Sequence, residues 1–350
     1  MRLAIVGCGF VTVDRHLPAL RHVPEIEVVA LADLDPRRAA EVSRRFGLRA
    51  RATDVERLLV DPGVDAVAVC TPPASHAELA LAALEAGKHV FVEKPIARTL
   101  EEADRIVARA DDSAVRTMVG FHLRRHRLVE RARQVVRDGT LGRIQGVRTA
   151  FTSPILEGKL DWQGRRELGG GALLDRAVHH FDLWRFVLGT EVEEIFALTR
   201  SERGDDQSAL LVARTADGTP VSTVILDDTA VSHDLAVYGT DAALFVDCCR
   251  VDGFHVAPRA EPPGSARARA RRAREALASP RESLRAARRG GDFRVAYEDG
   301  WRDFAAATRG GRVPSPTLRD GRAALEIAFA AAESAASGAP VRVGGVRAAT

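Results

Sequence analysis

The first dozen residues constrain this chain more than any other stretch. Arg2 leads into an apolar run, Leu3-Ala4-Ile5-Val6, which reads as a buried strand and ends in Gly7-Cys8-Gly9-Phe10-Val11-Thr12 before a helical pattern begins. A glycine directly after a strand permits a tight turn, and a second lets the loop's backbone lie against a phosphate. The helix that follows offers unpaired N–H groups and a positive dipole end. About twenty residues further, at the end of a second apolar run, stands Asp33, where a carboxylate accepts hydrogen bonds from a ribose. The combination points to a dinucleotide held by Gly7, Gly9, Phe10, Val11 and Asp33. A carboxylate at 33 repels a 2′-phosphate and so favours NAD over NADP, although Arg37 and Arg38, one turn on, are placed to pair with such a phosphate. Thr12 occupies the position where a third small residue is preferred, which predicts looser packing of helix on strand.

Residues 2–120 alternate short apolar runs with helical patterns, the signature of a parallel sheet with crossover helices. Strands are expected at 2–7, 26–33, 64–70, 88–93 and 115–120, and helices at 13–22, 36–46, 75–86 and 99–110. Beyond about 140 the pattern changes to successive strands at 143–153, 193–202, 208–215, 220–227, 233–240 and 243–248. One helix, at about 171–187, interrupts them, and helices at about 294–308 and 318–337 follow. Strands joined by turns imply an antiparallel sheet. The reading is therefore an α/β Rossmann domain over 1–121 and an α+β domain over 122–350, with an Arg-rich insertion at 259–289 that is either a basic helix or a solvated excursion.

A composition of 46% hydrophobic and 28% charged residues is that of a globular protein. The net charge of +3 over 350 residues is too small to make the whole molecule a polyanion binder, so no nucleic acid is expected. No apolar run is long enough to cross a bilayer, and no leader precedes the first strand, so the expected location is the cytoplasm. Cys8, Cys70, Cys248 and Cys249 follow no zinc spacing and form no disulfide framework. They read as small buried reduced residues, and no metal is expected.

Two clusters carry candidate chemistry. The first comprises Thr71-Pro72-Pro73-Ala74-Ser75-His76 and Glu93-Lys94-Pro95, each following a strand, at the carboxyl edge where ligands of such sheets bind. A lysine there can hold a substrate oxygen and favour the alkoxide character that develops as hydride leaves. The second is Gly169-Gly170-Gly171 followed by Asp175, His179 and Asp182. On a regular helix these three share one face, and an aspartate one turn from a histidine orients it as a general base. The glycines suggest close approach to a ligand or to another chain segment. His180, pointing elsewhere on the helix, reads as packing or surface. Near this cluster Arg124, Trp162 and Arg166 offer guanidinium groups and an aromatic face to a hydroxylated or acidic substrate.

Taken as a set, these motifs resemble the glucose–fructose oxidoreductase, inositol dehydrogenase and rhizopine catabolism family (Gfo/Idh/MocA). The resemblance rests on Gly7-Cys8-Gly9, Thr71-Pro72 with His76, Gly87-Lys88-His89-Val90 and Glu93-Lys94-Pro95. It continues in Gly120 with Arg124, Gly139-Thr140-Leu141-Gly142, the Gly169–His179 stretch, and Pro316 with Asp320-Gly321. It implies an open-faced, mostly antiparallel sheet in the second domain, often used to form dimers or tetramers, and Lys94, Asp175 and His179 working at a substrate hydroxyl. Thr12 departs from the family pattern, as do Arg176-Ala177, where an apolar residue and a glycine are usual. Three activities are compatible with the set: a sugar or cyclitol dehydrogenase, a glycosidase that oxidises its substrate transiently through NAD, and a non-catalytic NAD- and sugar-binding sensor.

Overall fold

The computed structural model describes residues 1–154, 161–262, 264–277 and 280–344, which form two compact units. The first holds residues 1–122, 167–169 and 297–325, and the second holds 123–166, 170–296 and 326 onward.

In the first unit, strands β1 (Arg2–Val6), β2 (Glu27–Ala32), β3 (Arg51–Ala52), β4 (Ala66–Val69), β5 (His89–Val92) and β6 (Thr117–Val119) form one sheet in the order β3-β2-β1-β4-β5-β6. Every pairing in it is parallel. The strands carry apolar side chains without alternation because helices cover both faces, and Leu3, Ala4, Ile5, Ala66 and Val90 are fully buried. The strand order reverses between β1 and β4, so the loops after them, beginning at Gly7 and Cys70, flank the crevice where ligands of doubly wound sheets bind. Asp35 caps the helix Pro36–Phe46 through Arg37 N, and Gly47 ends that helix at φ +61°. The two-residue β3 and the helix Val55–Val60 escaped the pattern reading because neither is long enough to show a period.

The helix expected at 13–22 begins differently. Thr12–His16 is a π-helical turn, and the α-helical turn Leu17–Leu20 follows. Pro18, which has no N–H to donate, follows the π-helical turn inside a helical run that begins at Phe10.

In the second unit, β7 (Ile144–Ser153), β8 (Val192–Arg200), β9 (Ser208–Thr215), β10 (Pro220–Asp227), β11 (Ser232–Gly239), β12 (Ala242–Asp247), β13 (Phe254–Pro258) and β14 (Val341–Arg342) form a sheet in the order β13-β12-β11-β7-β10-β9-β8-β14. All pairs are antiparallel except β7 with β10. Burial alternates strictly along β9 and β10, so one face packs and the other is open. Against the packed face lies the helix Val178–Leu188, preceded by a π-helical stretch, Ala172–Ala177. Trp184 on it is buried and donates its indole N–H to Thr149 Oγ1 on β7 at 3.1 Å. The open face exposes Leu198, Leu210 and Val212, with Leu198 directly opposite Leu210.

The Arg-rich segment contains two helices, Ala266–Leu277 and Pro280–Arg289, so the basic-helix alternative describes it. Glu275 anchors the first by accepting from Val256 N at 3.2 Å and lying 2.7 Å from His255 Nδ1. Cys8, Cys70 and Cys248 are buried thiols as expected, but Cys249 is exposed, because the chain leaves β12 after Asp247 and turns at that point.

Ile225 on β10 is fully buried on the packed face. Ile225→Ala should lower unfolding stability by about 2–5 kcal/mol and Ile225→Val by about 0.5–1.5 kcal/mol, read from urea denaturation. Equal, negligible losses would mean that this face is not the core of the unit.

Candidate active site

The glycine loop after β1 is built around a close approach. Gly7 sits at φ +97°, and a Cβ there would meet the Cys70 carbonyl oxygen at 2.6 Å, so no other residue fits. A Cβ at Gly9 would meet nothing within 4 Å, which leaves the loop backbone open on that side. Phe10 is half exposed at the loop's tip and Val11 is partly buried. Asp33 is the other anchor: its Oδ2 accepts from Cys8 N at 2.8 Å and its Oδ1 from Asp35 N at 3.0 Å. A carboxylate accepts about four hydrogen bonds, so capacity remains for a ribose. Thr12 is buried, and its hydroxyl donates to the Gly7 carbonyl at 2.6 Å, which ties the wide first turn to the loop. The loop therefore fits a dinucleotide.

At the carboxyl ends of β4 and β5 the expected groups divide. Thr71 Oγ1 accepts from Ser75 Oγ at 2.8 Å, and Pro72 is exposed beside it. His76 was expected at the cofactor, but it is buried with its ring between two backbone carbonyls, Thr71 O and Pro95 O, each 2.8 Å away. It braces the two loops rather than presenting a free edge. Burial pushes its pKa below the ordinary value, against the two carbonyls that favour the protonated ring. Glu93 is also buried, with Oε2 accepting from Lys94 N at 3.0 Å and Oε1 lying 2.9 Å from His16 Nε2. The Lys94–Pro95 peptide is cis. Gly120, at the end of β6, is needed because a Cβ there would come within 2.7 Å of the Glu93 carboxylate.

The triple glycine serves other chain segments. Gly169, at φ +86°, lies against Pro73, where a Cβ would come to 2.6 Å. In the second unit, a Cβ at Gly170 would fall 1.9 Å from Trp162 O, and Gly171 faces Asp205 at φ +76°. Arg166 holds this loop through its backbone N to Asp205 Oδ2 at 2.7 Å and its guanidinium to Asp206 at 3.0 and 2.6 Å. Its charge, offered by the sequence as a substrate contact, is engaged by Asp206. Trp162 differs, with a buried indole N–H that has no hydrogen-bond partner.

Asp175 and His179 are both largely buried, and Phe151 meets the His179 ring edge-on at 6.4 Å. Asp175 lies in the π-helical stretch, whereas His179 and Asp182 lie on the α-helix Val178–Leu188. The Asp182 carboxylate is engaged elsewhere, by a two-pronged bond from Arg124 at 2.8 and 2.5 Å. That pair is buried, so Arg124, expected at the substrate, is a structural partner of Asp182. The departure at 176 has its own explanation, since Arg176 forms a mostly buried ion pair with Asp227 at the end of β10. His180 is packing: its Nδ1 lies 2.9 Å from Thr149 Oγ1 and its Nε2 3.2 Å from His233 Nε2, and burial pushes its pKa down to about 3. Among the described residues no cluster of three metal-ligating side chains occurs, and no helix is long and apolar enough to cross a membrane.

Residues 1–121 match the family described as an oxidoreductase family with an NAD-binding Rossmann fold, and residues 129–245 match the GFO/IDH/MocA C-terminal domain. The chain belongs to the Gfo/Idh/MocA oxidoreductases. It is 30% identical to myo-inositol 2-dehydrogenase of Thermotoga maritima over 71% of this chain and 76% of that one. It is 38% identical to dTDP-3,4-didehydro-2,6-dideoxy-alpha-D-glucose 3-reductase of Saccharopolyspora spinosa over 63% of this chain and 66% of that one. Among solved structures, levoglucosan dehydrogenase in complex with NADH and levoglucosan superposes with a TM-score of 0.83 at 26% identity, over 98% of this chain and 99% of that one.

Two residues of this region carried no sequence signal. His16 sat inside an expected helix, and Trp301, whose indole lies 3.2 Å from His16 Nδ1, is 285 residues away in the chain.

The Arg124–Asp182 pair yields a direct test. Arg124→Ala removes the two-pronged partner of a buried carboxylate, with Arg185 4.0 Å away, and should cost about 3–5 kcal/mol of stability, whereas Arg124→Met with Asp182→Leu should recover most of it. A stable Arg124→Ala variant with a raised substrate KM would return Arg124 to the substrate.

Proposed function

We propose that this oxidoreductase is a sugar or cyclitol dehydrogenase that uses NAD in preference to NADP. One observation carries the reading: the loop at the strand-order reversal leaves its Gly9 side open while Asp33, bonded to that same loop, keeps acceptor capacity for a ribose. Gly7, Gly9, Phe10, Val11, Asp33 and the Thr71–Pro72 turn would hold the dinucleotide, whose nicotinamide supplies the hydride acceptor. Lys94 steadies the substrate oxygen, and its positive charge favours the alkoxide over the alcohol. His179 takes the hydroxyl proton, with Asp175 stabilising the resulting imidazolium. Trp162 presents its unpartnered indole N–H and its ring to substrate hydroxyls. The names of the similar proteins, an inositol dehydrogenase, a deoxyhexose reductase and a levoglucosan dehydrogenase, support a polyhydroxylated ring as substrate. The reading includes a homodimer or homotetramer formed through the open sheet face, which exposes Leu198, Leu210 and Val212, and a cytoplasmic location.

A panel of hexoses, inositols, anhydrosugars and uronic acids, followed at the reduced-nicotinamide absorbance, should give net NADH with one ring class. Sugar release without net NADH would favour the transient-oxidation glycosidase, and sugar binding without turnover would favour the sensor.

Asp33→Ala should weaken NAD binding by about 1.5–3 kcal/mol through the lost charged hydrogen bonds and narrow the preference over NADP. Unchanged NAD affinity in a titration would remove Asp33 from the ribose.

Lys94→Ala and His179→Ala should each leave NAD affinity nearly unchanged and lower kcat by roughly 10²–10⁴-fold. Residues serving one hydroxyl are not additive, so the double variant should lose far less than the product of the two. Full turnover in either single variant would end the proposed mechanism.

A further inference from the structure

The buried Glu93 carboxylate belongs to a chain of hydrogen bonds that the proposed reaction does not yet use. His16 is fully buried, and three rings surround its imidazole edge-on, Phe91 at 5.4 Å, Tyr297 at 5.3 Å and Trp301 at 5.5 Å. Trp301 Nε1 donates to His16 Nδ1 at 3.2 Å. An indole N–H is a donor only, so Nδ1 must present its lone pair. The ring proton of His16 is then on Nε2, which faces Glu93 Oε1 at 2.9 Å. The other Glu93 oxygen accepts from the Lys94 backbone N–H at 3.0 Å. Both carboxylate oxygens are thus used, one on each side of the bend where β5 ends. Burial works against a charged Glu93, but the hydrogen bond from His16 and the Lys94 ammonium outweigh it and hold its pKa below the ordinary value.

We propose that Trp301 is a positioning residue for Lys94. Its indole N–H fixes His16 as the neutral Nε2–H tautomer, His16 fixes the rotamer of Glu93, and Glu93 fixes the main chain from which the Lys94 side chain departs. The assignment of a role to Lys94 rests on the function proposed above, but the order of the hydrogen bonds does not. Every group in the chain lies in the first unit. Its connectivity explains why a carboxylate is tolerated at the buried end of β5, since a buried charge persists only where its acceptors are satisfied. Besides His16, the groups coupled electrostatically to Glu93 are Lys94, His122, His76, Tyr297 and Cys70. None of them donates to Nδ1 in place of Trp301.

Two measurements on the intact protein need no substrate. Histidine ¹⁵N shifts should report His16 as neutral with the proton on Nε2, and the Lys94 amide should exchange slowly with solvent. In Trp301→Phe, which keeps a ring but deletes the N–H, His16 should show mixed tautomers, and exchange at Lys94 should quicken. With the substrate found in the panel, Trp301→Phe should lower kcat about 10- to 100-fold, the scale of a misplaced catalytic group, with NAD affinity changed less than about twofold. His16→Gln donates to Glu93 without needing a tautomer set for it, so adding Trp301→Phe to His16→Gln should cause no further loss. An Nδ1–H or doubly protonated His16 in the parent protein would overturn the proposal, even if Trp301→Phe failed to fold. So would unchanged turnover in Trp301→Phe, or losses that multiply in the double variant. If no substrate turns over, the tautomer and amide-exchange results still decide the hydrogen-bond order, and the failure belongs to the proposed function alone.

Discussion

A buried carboxylate organises the cofactor side of this protein. Glu93 sits at the carboxyl end of β5 with almost no solvent, and a charge in that position must have its acceptors filled by the surrounding chain. Filling them draws in the turn after the glycine loop through His16, the backbone of Lys94, and a long C-terminal helix through Trp301. It also excludes a side chain at the end of β6, which is why residue 120 is glycine. Four segments distant in sequence thus depend on one carboxylate.

The second unit has a corresponding constraint. Its helix after the glycines buries four ionisable groups, His179, His180, Asp182 and the preceding Asp175. Two of them are visibly settled, Asp182 by Arg124 and His180 by Thr149 and His233. Those bonds pin the helix to its neighbours on two sides. In the loop before the helix, Arg166 is tied to Asp206 between β8 and β9, and Trp162 keeps an unpartnered N–H. Groups that look equivalent in the sequence thus differ in the partners that hold them.

π-Helical turns occur at Thr12–His16 and Ala172–Ala177, where the chain enters each of the helices carrying candidate function. A π turn is wider than an α turn and costs hydrogen-bond quality, and it recurs at functional sites. Here the first admits the Thr12 hydroxyl onto the Gly7 carbonyl, and the second carries Arg176 to its pairing with Asp227. Both residues depart from the family's usual small or apolar choice, and both are accommodated by the wider turn.

The sequence by itself determined the framework. Gly7 and Asp33 announced the loop and its acidic partner because each position admits few residue types: one needs a backbone at positive φ against Cys70, the other needs a carboxylate at a strand end. Continuous apolar runs marked the parallel strands, and alternation marked β9 and β10, since these patterns report how many faces are buried. The short β3 and the π turns fell below what a period can show. Only the tertiary structure decided the partners of the charged groups. Arg124, Arg166 and His76 are the residue types that bind ligands, and each is used instead to satisfy a buried group of the protein. Trp301 and His16 illustrate the same limit from the other side. A hydrogen bond spanning 285 residues leaves no periodicity or spacing in the sequence, because what joins them is the packing of the fold around a buried charge.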